Sequence, residues 1–296
     1  KLMSFRAWKK SPSVRLSFIS APHDRNCYMR QIGDINNERL ELSNAHSIGY
    51  PVISHTAPGI QGIADKAEAE CAATITNDWA ADQIKNHRDR MGAFACLSMH
   101  DPTQAAQELG RCVNELGFHG ALLCNFQHAG ADEETYLFYD QPAYDVFWEA
   151  LIELDVPLYI HPAAPTGVIR EKLYGQRPYL VGPPLSFAND VSLHILGIIS
   201  NGVFDRFPKL KITIGHQGEH IPFDFWRINH WFEVVERPIA QAKGDTIENG
   251  CGWWDNDKKA IVEVVGGIGN YRAIGRENAK KMLKLGQFHD SDAPVN

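Results

Sequence analysis

The sequence predicts an α/β protein built as a β/α barrel, and two observations carry that prediction. Apolar, β-branched runs alternate with segments of helical spacing from about Asn36 onward, the signature of parallel strands joined by helical crossovers. Two of the runs also end in histidine. Residues 156–160 (VPLYI) lead into His161-Pro162, and residues 211–214 (KITI) lead into Gly215-His216-Gln217-Gly218-Glu219-His220. In a barrel of parallel strands the C-terminal strand ends carry the chemistry, so paired histidines there point to ligands or acid–base groups.

In chain order, residues 37–42 (NERLEL) read as helix and 50–54 (YPVIS) as a short strand; residues 64–85 are rich in Ala, Glu and Asp at helical spacing. Residues 91–99 (MGAFACLSM) form the next strand. Asp101-Pro102 then supplies a cap and a first-turn proline for a helix over 104–116. A strand over 119–124, a helix over 143–154, the strand ending at His161 and a helix over 186–200 follow. Residues 205–208 (DRFP) turn the chain into the strand at Lys211, and an aromatic amphipathic segment comes next. These are five strands, where a closed barrel has eight. Residues 13–19 (SVRLSFI) are a sixth candidate; residues 240–255 are polar and Gly-rich, 258–265 suit helix at least as well as strand, and 274–285 read as an amphipathic helix. No internal repeat or low-complexity tract is present.

At 296 residues a single barrel domain over 1–296 is expected, with an atypical N-terminus at 1–20 and a shortened connection at 240–256. The net charge of −7, with no Lys/Arg cluster, argues against nucleic-acid or anionic-membrane partners. The six cysteines show no C-x-x-C spacing and read as free thiols in a reducing compartment, Cys96 and Cys124 as small buried hydrophobes. The basic opening KLMSFRAWKK has no apolar run behind it, and the longest such run, 195–199, falls far short of a membrane span. A soluble, cytoplasmic protein is expected. The chain opens on Lys1, so its natural start is expected elsewhere.

His161 is a candidate ligand for a divalent metal through neutral imidazole; the structural alternative is a histidine bonded to a loop carbonyl. His216-Gln217-Gly218-Glu219-His220 fits H-x-x-E-H, but that zinc motif needs a helix, and a β run and two glycines surround His216. The better reading makes His216 a strand-end acid–base group with Glu219 orienting or charging it. Arg227 and His230 lie on the aromatic segment, Arg227 as a carboxylate clamp or an ordinary salt bridge. Trp226, Trp231 and Phe232 read as core or subunit interface, and His100, His119, His128 and His194 as structural. Walker, G-x-G-x-x-G and G-x-S-x-G motifs are absent.

The long segment VGPPLSFANDVSLHILGIISNGVFDRFPKLKITIGHQGEHIPFDFWRINHWF resembles the amidohydrolase-superfamily decarboxylases, nearest to the fungal salicylate and 2,3-dihydroxybenzoate decarboxylases. ELDVPLYIHPAAPTG, MGAFACLSMHDP, ELGFHGALL, LFYDQPAYDVFW and IGRENAKKMLKLGQFHDS read the same way. The resemblance implies a (β/α)₈ barrel that removes CO₂ from ortho-hydroxybenzoates with one divalent metal (Zn²⁺, or Mg²⁺ or Mn²⁺) and no organic cofactor. It implies His161 as the strand-five metal ligand and His216 with Glu219 as the strand-six pair that relays protons at the ring. It implies Arg227 as a helix arginine near the substrate, and a homodimer or homotetramer.

Two family elements have no counterpart here: an opening strand with a metal-binding glutamate, and two late strands, the last ending in an aspartate. Asp245, Glu248 and Asp255 do not match that aspartate. The sequence therefore predicts a barrel short by about three strands along one seam, with a weakened metal site and little activity. Two other readings stand beside the decarboxylase: a metal-dependent hydrolase of the same superfamily, and a degenerate homologue with a binding role.

Overall fold

The computed structural model describes residues 25–132, 135–243 and 278–285. Helices α1 (Arg25–Gly33) and α2 (Glu38–Ala45) precede the sheet. The chain then alternates: β1 (Val52–Ile53), α3 (Lys66–Ile84), β2 (Gly92–Ala93), α4 (Pro102–Asn114) and β3 (Ala121–Cys124). After a hairpin of β4 (Gln127–Ala129) and β5 (Thr135–Leu137) come α5 (Asp145–Glu153), β6 (Leu158–His161), α6 (Ser186–Ser200), β7 (Ile212–Ile214) and α7 (Ile221–Trp231). A π-helical turn, Phe232–Glu236, joins α7 to α8 (Arg237–Lys243), and α9 (Asn278–Met282) is the last described helix.

Five strands run parallel in chain order. β1 pairs with β2, β3 with β6 and β6 with β7, and a parallel bridge from Ala95 to Ala121 joins the two groups. A sheet that adds each new strand beside the last, with a helix in every crossover, is the winding of a barrel. These are the strands expected at 50–54, 91–99, 119–124, 156–161 and 211–214. The 91–99 run is paired only at Gly92–Ala93 and Ala95. The antiparallel β4–β5 hairpin was not foreseen, since three-residue strands leave no readable period. Residues 13–19 and 258–265 lie outside the described residues, as does most of the shortened 240–256 connection; residues 240–243 close α8.

Period-two alternation divides the strands between two faces. Leu123, Leu158 and Ile160 pack in the main core with Trp148 of α5 and Val191 and Ile198 of α6. The alternate residues, Leu122, Tyr159 and Thr213, share the other face, and there Tyr159 approaches Phe94, ring centroids 6.3 Å apart. His161 continues the Tyr159 side of β6. At the opposite strand ends, Asp155 pairs with Lys211 and Lys284, which push its carboxyl down to about 2. Thr213 Oγ1 contacts Met282 Sδ at 3.4 Å, so the segment around α9 is tied beneath β6 and β7. Asp101 caps α4 as expected, its Oδ1 accepting the N–H groups of Thr103 and Gln104, with Pro102 in the first turn.

The described cysteines are free, and burial pushes the thiols of Cys96 and Cys124 up to about 12, so both behave as inert apolar groups. Trp226 and Trp231 depart from the core alternative: they are 75% and 56% exposed, whereas Phe232 packs against the core. No helix of the described residues is long and apolar enough to cross a membrane.

Candidate active site

The end of β7 can reach the end of β6 because Gly215 has no side chain. A Cβ there would lie 3.0 Å from the carbonyl oxygen of Ile160 and 3.3 Å from Pro162 Cδ. That approach sets His216 beside His161, with ring centroids 5.2 Å apart and planes at 72°. Phe187, in the first turn of α6, closes the corner at 6.0 Å from His161 and 5.3 Å from His216.

His161 is half-buried, and burial is the main cause that lowers its pKa, helped by His216 and opposed by the Pro162 carbonyl. Its ring is therefore neutral at pH 7. Nδ1 lies 2.7 Å from the oxygen of Pro162. A carbonyl only accepts, so Nδ1 carries the proton and Nε2 keeps its lone pair. A neutral imidazole whose second nitrogen is fixed by a carbonyl has the chemistry of a metal ligand, so this donor fits a divalent cation. Among the described residues, however, no group of three His, Cys, Asp or Glu side chains gathers to hold one.

His216 follows β7 in a single 3₁₀ turn, Gly215–Gly218, and the helix begins only at Ile221. The helical H-x-x-E-H geometry is therefore absent, as the glycines predicted. His216 and Glu219 both have positive φ, 53° and 50°, a backbone conformation that non-glycine residues adopt at a cost of about 1–2 kcal/mol each. The strained turn brings His216 Nδ1 to 3.0 Å from Glu219 Oε1. The two atoms lack hydrogen-bond alignment and, among the described residues, no other donor reaches the enclosed Oε1, so the contact is Coulombic. It engages Nδ1 and leaves Nε2 to face a substrate.

Arg227 lies on α7, exposed and without a contact to either histidine. His230 stacks on Trp226 at 5.0 Å, away from the pair. The histidines expected to be structural are so: His100 bonds the Ile63 carbonyl at 3.1 Å, His119 meets Tyr50 Oη at 2.8 Å, and His128 packs on Phe126 and Tyr136. His55, at the end of β1, was passed over by the sequence reading; burial lowers its pKa, its Nδ1 has no partner, and no ring contact joins it to the site.

Asp190 and Phe187 were missed as well. Asp190 lies on α6 and its Oδ2 accepts the N–H of Ala163 at 2.7 Å. The residue keeps some surface, yet protein encloses its carboxyl, and burial raises its pKa to about 7 against the pull of Ala163 and Asn125. His194, one turn on, is fully enclosed, and burial lowers its pKa to about 3. The i, i+4 spacing of Asp190 and His194 on one predicted helix was the available signal; Phe187 left none.

A parallel β/α winding with two facing histidines at its C-terminal strand ends is the arrangement of an amidohydrolase-type barrel. The chain belongs to the amidohydrolase family, whose profile matches residues 19–236. It is 43% identical over 213 residues to a γ-resorcylate decarboxylase of Rhizobium radiobacter, an alignment that covers 71% of this chain and 64% of that protein. The chain thus spans somewhat less than two thirds of that relative's length. Among solved structures it is similar to 2,6-dihydroxybenzoate decarboxylase from Rhizobium, with 30% identity, a TM-score of 0.72, and coverage of 90% of this chain and 94% of the other. It is also similar to a dihydroxybenzoic acid decarboxylase from Polaromonas sp. solved with manganese and the inhibitor 2-nitroresorcinol, at 28% identity, a TM-score of 0.72, and coverage of 91% and 93%.

Proposed function

We propose that the protein is a metal-dependent, non-oxidative decarboxylase of ortho-hydroxybenzoates, a carboxy-lyase built as one barrel domain. The observation that carries this reading is the neutral His161 facing the His216–Glu219 pair across 5.2 Å. The named relatives favour 2,6-dihydroxybenzoate, for which γ-resorcylate is the trivial name, over salicylate or 2,3-dihydroxybenzoate. The manganese in the Polaromonas structure favours Mn²⁺, with Zn²⁺ and Mg²⁺ as the other candidates.

In this reading His161 Nε2 is one ligand. A divalent ion bound there would supply Lewis-acid polarisation of the substrate. His216, with Glu219 at its Nδ1, gives a proton from Nε2 to the ring carbon bearing the carboxylate. The bond to the carboxylate then breaks, its electron pair restores the aromatic ring, and CO₂ leaves; solvent returns the proton to His216. Phe187 walls the ring side and excludes water. Arg227 is the candidate carboxylate clamp, and since it touches neither histidine, that role requires the substrate to reach α7 or a second subunit to present it. The exposed aromatic face of α7 suits a homodimer or homotetramer. A cytoplasmic location belongs to the same reading.

The expectation of a barrel short of its first and two late strands belongs to the same reading. CO₂ release from 2,6-dihydroxybenzoate, salicylate and 2,3-dihydroxybenzoate, with added Mn²⁺, Zn²⁺ or Mg²⁺ and with chelator, tests the proposal. Metal-dependent release is expected, low for this chain and higher once strands bearing the family glutamate and aspartate are grafted in. A folded grafted chain that releases no CO₂ from any ortho-hydroxybenzoate, or hydrolyses a lactone instead, sinks it.

A further inference from the structure

The peptide bond between Pro162 and Ala163 is hydrogen-bonded at both ends. Its carbonyl accepts from His161 Nδ1 at 2.7 Å, and its N–H donates to Asp190 Oδ2 at 2.7 Å. A peptide group is conjugated, so an anion drawing on its N–H increases the negative charge on its own oxygen. Asp190 is thereby coupled to His161 through one amide. Imidazoles that bind metals commonly direct their second nitrogen at a carboxylate or at a backbone carbonyl; here the two stand in series.

Asp190 is itself held in register. Cys124 on β3 pairs with His161 on β6, so Asn125 emerges beside the Pro162 turn. Its Nδ2 donates to the main-chain oxygen of Asp190 at 2.8 Å. Asn125 Oδ1 accepts from His194 Nδ1 at 3.1 Å, and His194 Nε2 accepts the N–H of Tyr139 at 3.2 Å. Each donor has an acceptor, which fixes both the Asn125 amide and the His194 tautomer. Asp190 and His194 thus lock one face of α6 to the C-terminal ends of β3 and β6.

We propose that Asp190 is a positioning residue of the active site: its carboxylate, acting through the Pro162–Ala163 peptide, holds His161 as the Nδ1–H tautomer and strengthens Nε2 as a lone-pair donor to a divalent cation. The proposal deepens the reading of His161 as metal ligand and rests on it for the cation. A mere anchor for the turn would need only an acceptor for the Ala163 N–H. Asp190→Asn keeps an acceptor and removes the charge, so it separates the two roles.

The experiment is ¹⁵N NMR of the full chain labelled at histidine, with His161 assigned from His161→Gln, combined with Mn²⁺ titration in the absence of substrate. At pH 8 the wild-type ring is expected to show a protonated Nδ1 and a bare Nε2. Asp190→Asn is expected to shift the His161 resonances toward mixed tautomers and to weaken Mn²⁺ binding by roughly tenfold, and Asp190→Glu to recover part of both. Unchanged His161 resonances in a folded Asp190→Asn chain overturn the proposal, and so does a wild-type His161 protonated at Nε2, a result that needs no variant. If the resonances shift while neither protein binds Mn²⁺, the carboxylate–peptide coupling stands and the metal reading of His161 falls.

Discussion

The two strand-end histidines are held by opposite means. His161 sits in a half-buried turn whose peptide is tied on both sides, to its own ring and to α6, and the ring is neutral. His216 sits in an exposed turn with two non-glycine residues at positive φ and one unaligned carboxylate contact. A ligand must stay neutral and fixed, whereas a proton-transfer group must change charge and keep access to solvent. Burial with hydrogen bonds serves the first need, and strain with a nearby carboxylate serves the second.

That contrast is broken or sharpened by substitution. The largest effects fall on the histidines. His161→Ala is expected to weaken Mn²⁺ binding by at least about 100-fold, beyond the range seen for outer-shell changes, while His216→Gln leaves Mn²⁺ affinity near wild type and lowers kcat by about 10²–10⁴. Calorimetric titration and steady-state rates on each variant separate the two roles, and a His216 variant that loses metal erases the distinction.

The α6 pair comes next. The raised pKa of Asp190, about 7 against 3.8, contributes stability that is fully present below pH 4 and is lost as pH rises through 7. The lowered pKa of His194, about 3 against 6.5, contributes stability present above pH 6.5 and lost as pH falls toward 3. They are worth at most about 4 kcal/mol for Asp190 and about 5 kcal/mol for His194, at 1.36 kcal/mol per pKa unit. Between pH 4 and 6.5 the two slopes oppose each other, so urea unfolding is expected to show a nearly flat contribution from this pair. Asp190→Asn should leave stability rising with pH across that window and His194→Gln should leave it falling; parallel profiles in both variants contradict the assignment.

Backbone changes in the β7 turn are smaller. Gly215→Ala places a Cβ against the Ile160 carbonyl and is expected to cost about 1–3 kcal/mol. Glu219→Gly relieves a positive φ and should stabilise the fold by about 1 kcal/mol while slowing turnover. Thermal melts beside rate measurements show whether stability and activity move in opposite directions there. The smallest effect is expected at Trp226, whose exposed ring should lower stability by under about 0.5 kcal/mol on change to Ser. Sedimentation of that variant also reports whether the α7 face joins subunits.

The parallel winding, the five strands, the α4 cap and the prominence of His161, His216 and Glu219 are legible in the amino-acid sequence. All of these follow from local periodicity and from residue type at strand ends, which neighbours in the chain are enough to specify. Three-dimensional packing was needed to see that Gly215 lets two strand ends close to contact, that Phe187 forms the third wall, and that Trp226 and Trp231 face outward. The same holds for Asp190 and His161 bonding opposite ends of one peptide. Those facts depend on β3, β6 and α6 meeting at one end of the sheet, and contacts between residues 27 to 65 positions apart leave no period in the sequence to read.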